Sequence, residues 1–159
     1  MCNLTNDDLL ELDNDDFQID DSFEELGGGF ARTVYAIDKD RVAKVSNGME
    51  GSWKQNRNEI RVWKKATDEQ KEYLAPIIDG NDDVVIMRRC DELNDTDEIP
   101  ANDVVQVLVD EFDLGDGDIF KDRRSWGKLN GKVVLVDYGL TNAIHKEHYE
   151  MDDTSNDDN

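Results

Sequence analysis

Alternating apolar and polar residues in the first half of the chain predict a small antiparallel sheet. The pattern begins near Phe23, passes three consecutive glycines, continues over residues 33–37 and resumes over residues 41–45 after a short polar turn. Alternation with a period of two around a tight turn is typical of a hairpin. Two more apolar runs, 75–78 and 84–87, flank a turn rich in Asp and Asn. We therefore expect five strands in this half of the chain.

Helical spacing of apolar residues separates these strands and follows them. Residues 52–66 form the longest predicted helix, with Ser52 as its cap and Trp53 in its apolar stripe. The acidic stretch 91–103 is predicted to be a loop. Another helix is predicted over 102–112 and ends before the Gly-Asp repeat at 115–118. A last β-rich run, 132–136, leads into Asp-Tyr-Gly. The mixture of an antiparallel sheet with separate helices predicts an α+β fold.

Unbalanced negative charge is concentrated in three stretches of the chain, which has a net charge of −21. Residues 1–25, 91–118 and 147–159 hold ten, eleven and six acids and no Lys or Arg. Because the overall field repels phosphates, we expect no direct binding of nucleic acid. A basic protein partner, an imitation of nucleic-acid charge, and simple solubility or salt adaptation all stay open.

The sequence leads us to expect neither a membrane-spanning segment nor an export signal. No apolar run reaches membrane-spanning length, and the start of the chain lacks a basic region followed by an apolar run. The two cysteines, Cys2 and Cys90, are far apart and match no metal-ligand spacing, so we expect two reduced thiols. These features predict a cytoplasmic protein that does not contact a membrane.

The glycine run and two charged residues after it suggest a phosphate site. Glycines between two strands allow a turn to fold over phosphates and expose its N–H groups. A strand follows Gly29, whereas a helix follows the glycines of a Rossmann fingerprint. Lys44 lies on the third predicted strand, and Glu59, fifteen residues later, is the sole acid between residues 51 and 67. We predict an ion pair between Lys44 and Glu59.

The order of these features resembles that of the protein-kinase-like superfamily over about residues 22–141. The short kinase-like proteins of phages and mobile elements are similar in a Trp-Gly…Asp-Tyr-Gly pattern, which Trp126-Gly127 and Asp137-Tyr138-Gly139 match. The resemblance implies ATP and Mg²⁺ as cofactors, a hinge at residues 87–90, and Asp137 as the metal ligand. It also implies six nucleotide-binding residues: Gly27, Gly29, Val34, Lys44, Glu59 and Cys90.

Several positions depart from the kinase pattern. Arg32 stands where the third loop glycine is expected, and no His-Arg-Asp occurs. The resemblance implies Asp118 as the catalytic base, with Asp122 as the second choice. Arg123 stands five residues after Asp118, where a metal-binding Asn is expected. Only about twenty residues follow the Asp-Tyr-Gly, so we expect a truncated second lobe.

These patterns predict four regions. They are an acidic flexible arm (1–21), a kinase-like N-lobe with a five-stranded antiparallel sheet and one long helix (22–90), a truncated C-lobe (91–145) and an acidic disordered tail (146–159). The favoured interpretation is a pseudokinase-type interaction or regulatory protein with a vestigial or intact ATP and Mg²⁺ site. Its partner would be a basic protein, such as the host factor of a phage, bound through acids that include Asp91, Glu92, Asp95, Asp97 and Glu98.

Two alternatives stay open at this point. In the first, the chain is an active minimal Ser/Thr-type phosphotransferase that uses Lys44, Glu59 and Asp137 to hold ATP and Mg²⁺. In the second, it is an acidic inhibitor that imitates nucleic acid and binds no nucleotide. The replaced catalytic loop favours the interaction protein over the enzyme.

Overall fold

The computed structural model describes residues 23–28, 31–49, 51–115 and 119–148. The predicted arm and the part of the predicted tail beyond residue 148 lie outside these ranges. The described elements, in chain order, are β1 (Glu24–Gly28), β2 (Arg32–Ala36), β3 (Arg41–Ser46), α1 (Trp53–Lys65), α2 (Asp68–Lys71), β4 (Ile77–Gly80), β5 (Val84–Arg88), β6 (Asp91–Glu92), α3 (Asp103–Phe112), a 3-10 turn (Arg123–Ser125), β7 (Trp126–Leu129), β8 (Lys132–Leu135) and α4 (Asn142–His148).

The first five strands form one antiparallel sheet in the order β1-β2-β3-β5-β4. This confirms the predicted α+β class and the five-stranded antiparallel sheet. In the register of β2 and β3, Val34 lies opposite Lys44 and Arg32 lies opposite Ser46. Because side chains alternate along a strand, Arg32 and Lys44 project from the same face of the sheet.

Helix α1 packs on that face, close to its predicted bounds. Its buried residues are mostly polar: Gln55, Asn56, Asn58, Glu59, Ile60 and Val62. The prediction that Trp53 belongs to a buried stripe is wrong, since Trp53 is 39% exposed. It lies in the first turn of α1, where its ring stacks 4.5 Å from the Arg57 guanidinium. Polar burial on α1 indicates that the helix positions a site as well as a core.

A second, three-stranded antiparallel sheet has the order β6-β7-β8. The prediction of a loop throughout residues 91–103 is wrong at its start, because β6 pairs with β7 through Asp91 and Lys128. A two-residue strand contains too few residues to show an alternating pattern. Asn130 and Gly131 have φ of 53° and 85° and close the β7–β8 hairpin.

Both sheets contribute to one hydrophobic core. Leu74 forms a bridge with Leu135 of β8, while α3 buries Val105, Leu108 and Phe112. Trp126 is buried, and its indole N–H donates to the carbonyl of Ile119 at 3.0 Å. The shared core holds the end of β8, and therefore the Asp-Tyr-Gly segment, against α1.

Helix α4 was not anticipated, and the predicted boundary of the tail at residue 146 falls inside it. The hydroxyl oxygen of Thr141 accepts a hydrogen bond from the Ile144 amide at 3.0 Å, which caps the start of the helix. Glu147 pairs with Lys54 of α1 at 3.0 Å. Among the described residues, none of the helices combines the length and the apolar character needed to cross a membrane.

Candidate functional site

Four charged side chains meet between α1 and the two sheets, and we call them the charged cluster: Arg32, Lys44, Glu59 and Asp137. Glu59 Oε1 lies 2.9 Å from Arg32 Nη1 and 3.0 Å from Lys44 Nζ. Arg32 Nη2 lies 2.8 Å from Asp137 Oδ1. The predicted ion pair between Lys44 and Glu59 is therefore confirmed, and Arg32 extends it to Asp137.

Three of the four members of the charged cluster are almost completely shielded from water. Glu59, Lys44 and Arg32 are 0%, 5% and 6% exposed, whereas the side chain of Asp137 is 48% exposed. Buried charges are tolerated only when oppositely charged partners and hydrogen bonds compensate for lost solvation. Two cations and two carboxylates supply that compensation here, and Asp137 marks the side where the cluster meets solvent.

The charges alter one another's proton affinity. Burial by itself raises the pKa of Glu59, but Arg32 and Lys44 outweigh it and hold this pKa at about 2. Burial lowers the pKa of Lys44; Glu59 opposes that effect and Arg32 adds to it. Burial also lowers the pKa of Arg32, yet Glu59 and Asp137 raise it above its usual value. The Glu59 carboxylate therefore stays ionised at neutral pH.

Uncharged groups complete the hydrogen bonding of the cluster. Asn56 accepts from Arg32 Nη1 at 3.1 Å, and the Tyr138 amide donates to Glu59 Oε2 at 2.9 Å. Lys44 also donates to the carbonyl of Val136, the residue before Asp137. Glu59 thus holds two cations of the large sheet and the backbone of the Asp-Tyr-Gly segment at the same time.

The Asp-Tyr-Gly segment is held tightly against α1. A Cβ at Gly139 would lie 2.3 Å from the Gln55 carbonyl oxygen, so only glycine allows this approach. Asn58 donates to the Gly139 carbonyl at 3.2 Å. Tyr138 is fully buried and donates through its hydroxyl to the Ala75 carbonyl at 2.7 Å. Burial raises the pKa of Tyr138 well above its usual value, with a further contribution from Glu59.

Of the remaining predicted nucleotide-binding residues, Val34, Gly27 and Cys90 are described by the structure, and Gly29 is not. Val34 is half-buried opposite Lys44, and Gly27 is exposed at a bulge in β1. Cys90 lies between β5 and β6, in the segment where the hinge is predicted, and burial raises the pKa of its thiol to about 11. Gly29 and the predicted base, Asp118, lie outside the described residues.

A short 3-10 turn, Arg123–Ser125, lies in the stretch for which the kinase resemblance predicts a catalytic loop. Asp122, the second choice for the base, accepts from the Arg124 amide at 3.1 Å and from the Ser125 hydroxyl at 3.4 Å. The Ser125 carbonyl accepts from the amides of Val136 and Asp137. Asp122 therefore caps the turn that holds the start of the Asp-Tyr-Gly segment.

The residues of the cluster do not fit a magnesium ion in this arrangement. Asp137 Oδ1 is already paired with the Arg32 guanidinium. Within the described ranges, no group of three or more His, Cys, Asp or Glu side chains could hold a metal ion. Magnesium is usually held by carboxylates together with substrate phosphates, and an arginine beside the ligand repels it.

Motif matching missed three parts of the site: Arg32, Asn56 and the Tyr138 amide. Motif matching counts Arg32 only as a missing glycine. Its signal lies in strand parity, because Arg32 is two residues from Val34, the residue opposite Lys44. The same parity that directs Lys44 toward α1 directs Arg32 there too. Asn56 lies three residues before Glu59, which places both on one face of a helix.

A second candidate site is the acidic segment, residues 91–98. Arg123 donates to the Asn94 carbonyl at 2.7 Å, and Lys128 pairs with Asp97 at 2.8 Å. The Asn94 side chain accepts from the amides of Thr96 and Asp97 at 3.0 and 3.1 Å. Four acids of the segment remain exposed: Asp91, Glu92, Asp95 and Glu98. The segment is thus a structured turn that presents carboxylates to solvent.

Comparison with known proteins adds no family to this description. No protein-family model matches the chain, and no curated protein matches it either. The kinase-like interpretation therefore rests on the motifs and the geometry of the cluster, and it stays a prediction.

Proposed function

We propose that this chain is a kinase-like interaction protein that captures a basic protein partner through the acidic segment and transfers no phosphate. The observation that carries the proposal is the way in which Arg123 and Lys128 hold the acidic segment. Arg123 belongs to the stretch that would form the catalytic loop of a kinase. Here it donates to the backbone of the acidic segment, which supports an interaction role for this stretch over a catalytic one.

The exposed acids of the segment suit a partner rich in Lys and Arg. Complementary charge accelerates encounter and selects partners of opposite sign. Asp97 has a different role from its neighbours, since Lys128 lowers its pKa and the Asn94 amide also donates to it. Partner contacts are therefore assigned to the four exposed acids, and Asp97 is assigned to holding the turn.

A capture experiment with matched variants tests this role. The full chain carrying Asp91→Asn, Glu92→Gln, Asp95→Asn and Glu98→Gln is compared with the natural sequence. The control changes four exposed acids elsewhere: Asp40, Glu69, Glu72 and Asp103. Proteins retained from cell extract are quantified by mass spectrometry at two salt concentrations. A specific basic partner should be lost from the first variant only, and its retention should fall with salt, because exposed charges are screened.

Phosphate transfer provides the opposing result. Asp137→Asn should retain the same partner as the natural sequence, since Asp137 does not belong to the acidic segment. An ATP-dependent transfer of phosphate that disappears in both Lys44→Ala and Asp137→Asn would overturn the proposal and favour the minimal phosphotransferase. If both charge variants lose the partner to the same extent, the acids act only through the total charge of the chain.

A further inference from the structure

Arg32 places one nitrogen between two carboxylates. Nη2 lies 3.2 Å from Glu59 Oε2 and 2.8 Å from Asp137 Oδ1, while Nη1 lies 2.9 Å from Glu59 Oε1. Glu59 therefore accepts two hydrogen bonds from the guanidinium, and Asp137 accepts one. The planar fork of arginine matches carboxylate geometry in a way that a lysine ammonium does not.

We propose that Arg32 is a resident cation, which supplies the positive charge that this site would otherwise draw from a divalent metal ion and excludes such an ion from Asp137. The inference concerns the interior of the molecule. It holds whatever the acidic segment binds.

Charge balance is the first support. Arg32 and Lys44 neutralise Glu59 and Asp137 one for one, in a cluster that is buried except at Asp137. A divalent ion added to this set would leave two uncompensated positive charges beside a low-dielectric interior. The described residues offer no further carboxylates there that could form a metal site.

Position is the second support. Divalent ions bind carboxylate oxygens at about 2.0–2.6 Å, and Asp137 Oδ1 already has a cationic nitrogen at 2.8 Å. Arg32 is anchored by Asn56 at 3.1 Å as well as by Glu59. A metal ion could reach Oδ1 only by displacing a guanidinium that several bonds hold in place.

Connection between the sheets is the third support. Arg32 belongs to β2 of the large sheet, whereas Asp137 follows β8 of the small one. A metal ion bound between the two sheets would hold them together, and the Arg32 side chain makes this connection without any bound ion. Arg32 thus acts as a positioning residue for Asp137.

The first test needs no metal. Thermal unfolding of the full chain is measured in chelator for the natural sequence, Asp137→Asn and the exposed control Asp40→Asn. If Asp137 were an unoccupied metal ligand, its replacement would leave the unfolding midpoint of the metal-free protein unchanged or raise it. Removing a partner of a buried arginine destabilises it. We expect Asp137→Asn to lower the midpoint by about 2–4 °C, and an unchanged or raised midpoint would overturn the proposal.

The second test asks whether the loss of Arg32 creates a metal site. Mn²⁺ is titrated at constant ionic strength into the natural sequence, Arg32→Ala, Arg32→Lys and the double variant Arg32→Ala/Asp137→Asn, and the midpoint is followed. Far-UV circular dichroism verifies that each variant is folded. The double variant corrects for Mn²⁺ bound by the other acids of this chain. If Arg32→Ala does not fold, the first test decides alone.

We expect an Asp137-dependent rise of the midpoint with Mn²⁺ in Arg32→Ala only. Arg32→Lys retains the positive charge and should stay as insensitive to Mn²⁺ as the natural sequence. A folded Arg32→Ala that gains no Asp137-dependent stabilisation would overturn the proposal. Equal Mn²⁺ stabilisation of the natural sequence and Arg32→Ala would overturn it as well, because Arg32 would then exclude nothing.

Discussion

The charged cluster and the acidic segment use carboxylates in opposite ways. In the cluster, two carboxylates are matched by two cations, and Glu59 is completely buried. In the acidic segment, one carboxylate is paired with Lys128 and four others face solvent. Both regions depend on Lys or Arg side chains from outside the acidic stretches, but only the charged cluster has no net charge.

The difference shows how one chain separates stability from interaction. A buried charge costs several kcal/mol in lost solvation, so its partners must be internal and complete. An exposed charge costs little, contributes little to folding and stays available to a partner. We therefore expect changes in the cluster to alter folding, and changes in the exposed acids to alter binding. Four predictions test this division, beginning with the largest effect.

Glu59→Gln should be the most damaging single change. It leaves Arg32 and Lys44 buried with reduced compensation, and breaking a buried pair costs about 3–5 kcal/mol. Urea unfolding measures the loss. The matched control Glu98→Gln removes an exposed carboxylate and should stay within about 0.5 kcal/mol of the natural sequence. Similar losses for the two variants would remove the distinction between the regions.

Acid should weaken the cluster in a defined range of pH. The pKa of Glu59 is about 2 in the folded chain, below its ordinary value of 4.5. The unfolded chain therefore binds this proton more tightly, so the contribution is complete above pH 4.5 and disappears as pH falls toward 2. The shift corresponds to a contribution on the order of 3 kcal/mol. Urea midpoints measured across this range should fall less steeply in Glu59→Gln, and equal slopes would contradict the prediction.

Gly139→Ala should separate α1 from the Asp-Tyr-Gly segment. The added methyl would lie 2.3 Å from the backbone oxygen of Gln55, and backbone yields less readily than a side chain. Overpacking of this kind costs about 1–3 kcal/mol. Thermal unfolding should detect the loss, and hydrogen exchange should show reduced protection of the Tyr138 amide, which donates to Glu59. An unchanged midpoint would mean that the segment can move away from α1 freely.

Lys128→Met should have the smallest effect on overall stability and a local effect on the acidic segment. It removes the pair with Asp97 while retaining an apolar side chain of similar length. We expect a midpoint within about 2 °C of the natural sequence. Hydrogen exchange of the Asn94 amide, which donates to Asp97, should nevertheless become faster. Large global destabilisation would indicate that the segment supports the fold as strongly as the cluster does.

Much of the fold could be predicted from local patterns. Alternation and turn residues indicated the five strands, and helical spacing indicated α1 and α3 close to their bounds. The elements that were missed are short or held by distant contacts. β6 has two residues and depends on β7 for its pairing, while α4 is capped by Thr141 and held by an ion pair with Lys54.

The sequence alone led to the pairing of Lys44 with Glu59, because Lys44 lies on a predicted strand and Glu59 is the sole acid of the predicted helix fifteen residues later. It also determined where the negative charge is concentrated. The packing of the fold, and not any sequence pattern, established that Arg32 joins Glu59 to Asp137, a contact between residues 105 positions apart. It likewise decided that Asp97 is held while its neighbours are exposed. Such contacts depend on how the two sheets pack around one core, which neither periodicity nor motif spacing specifies.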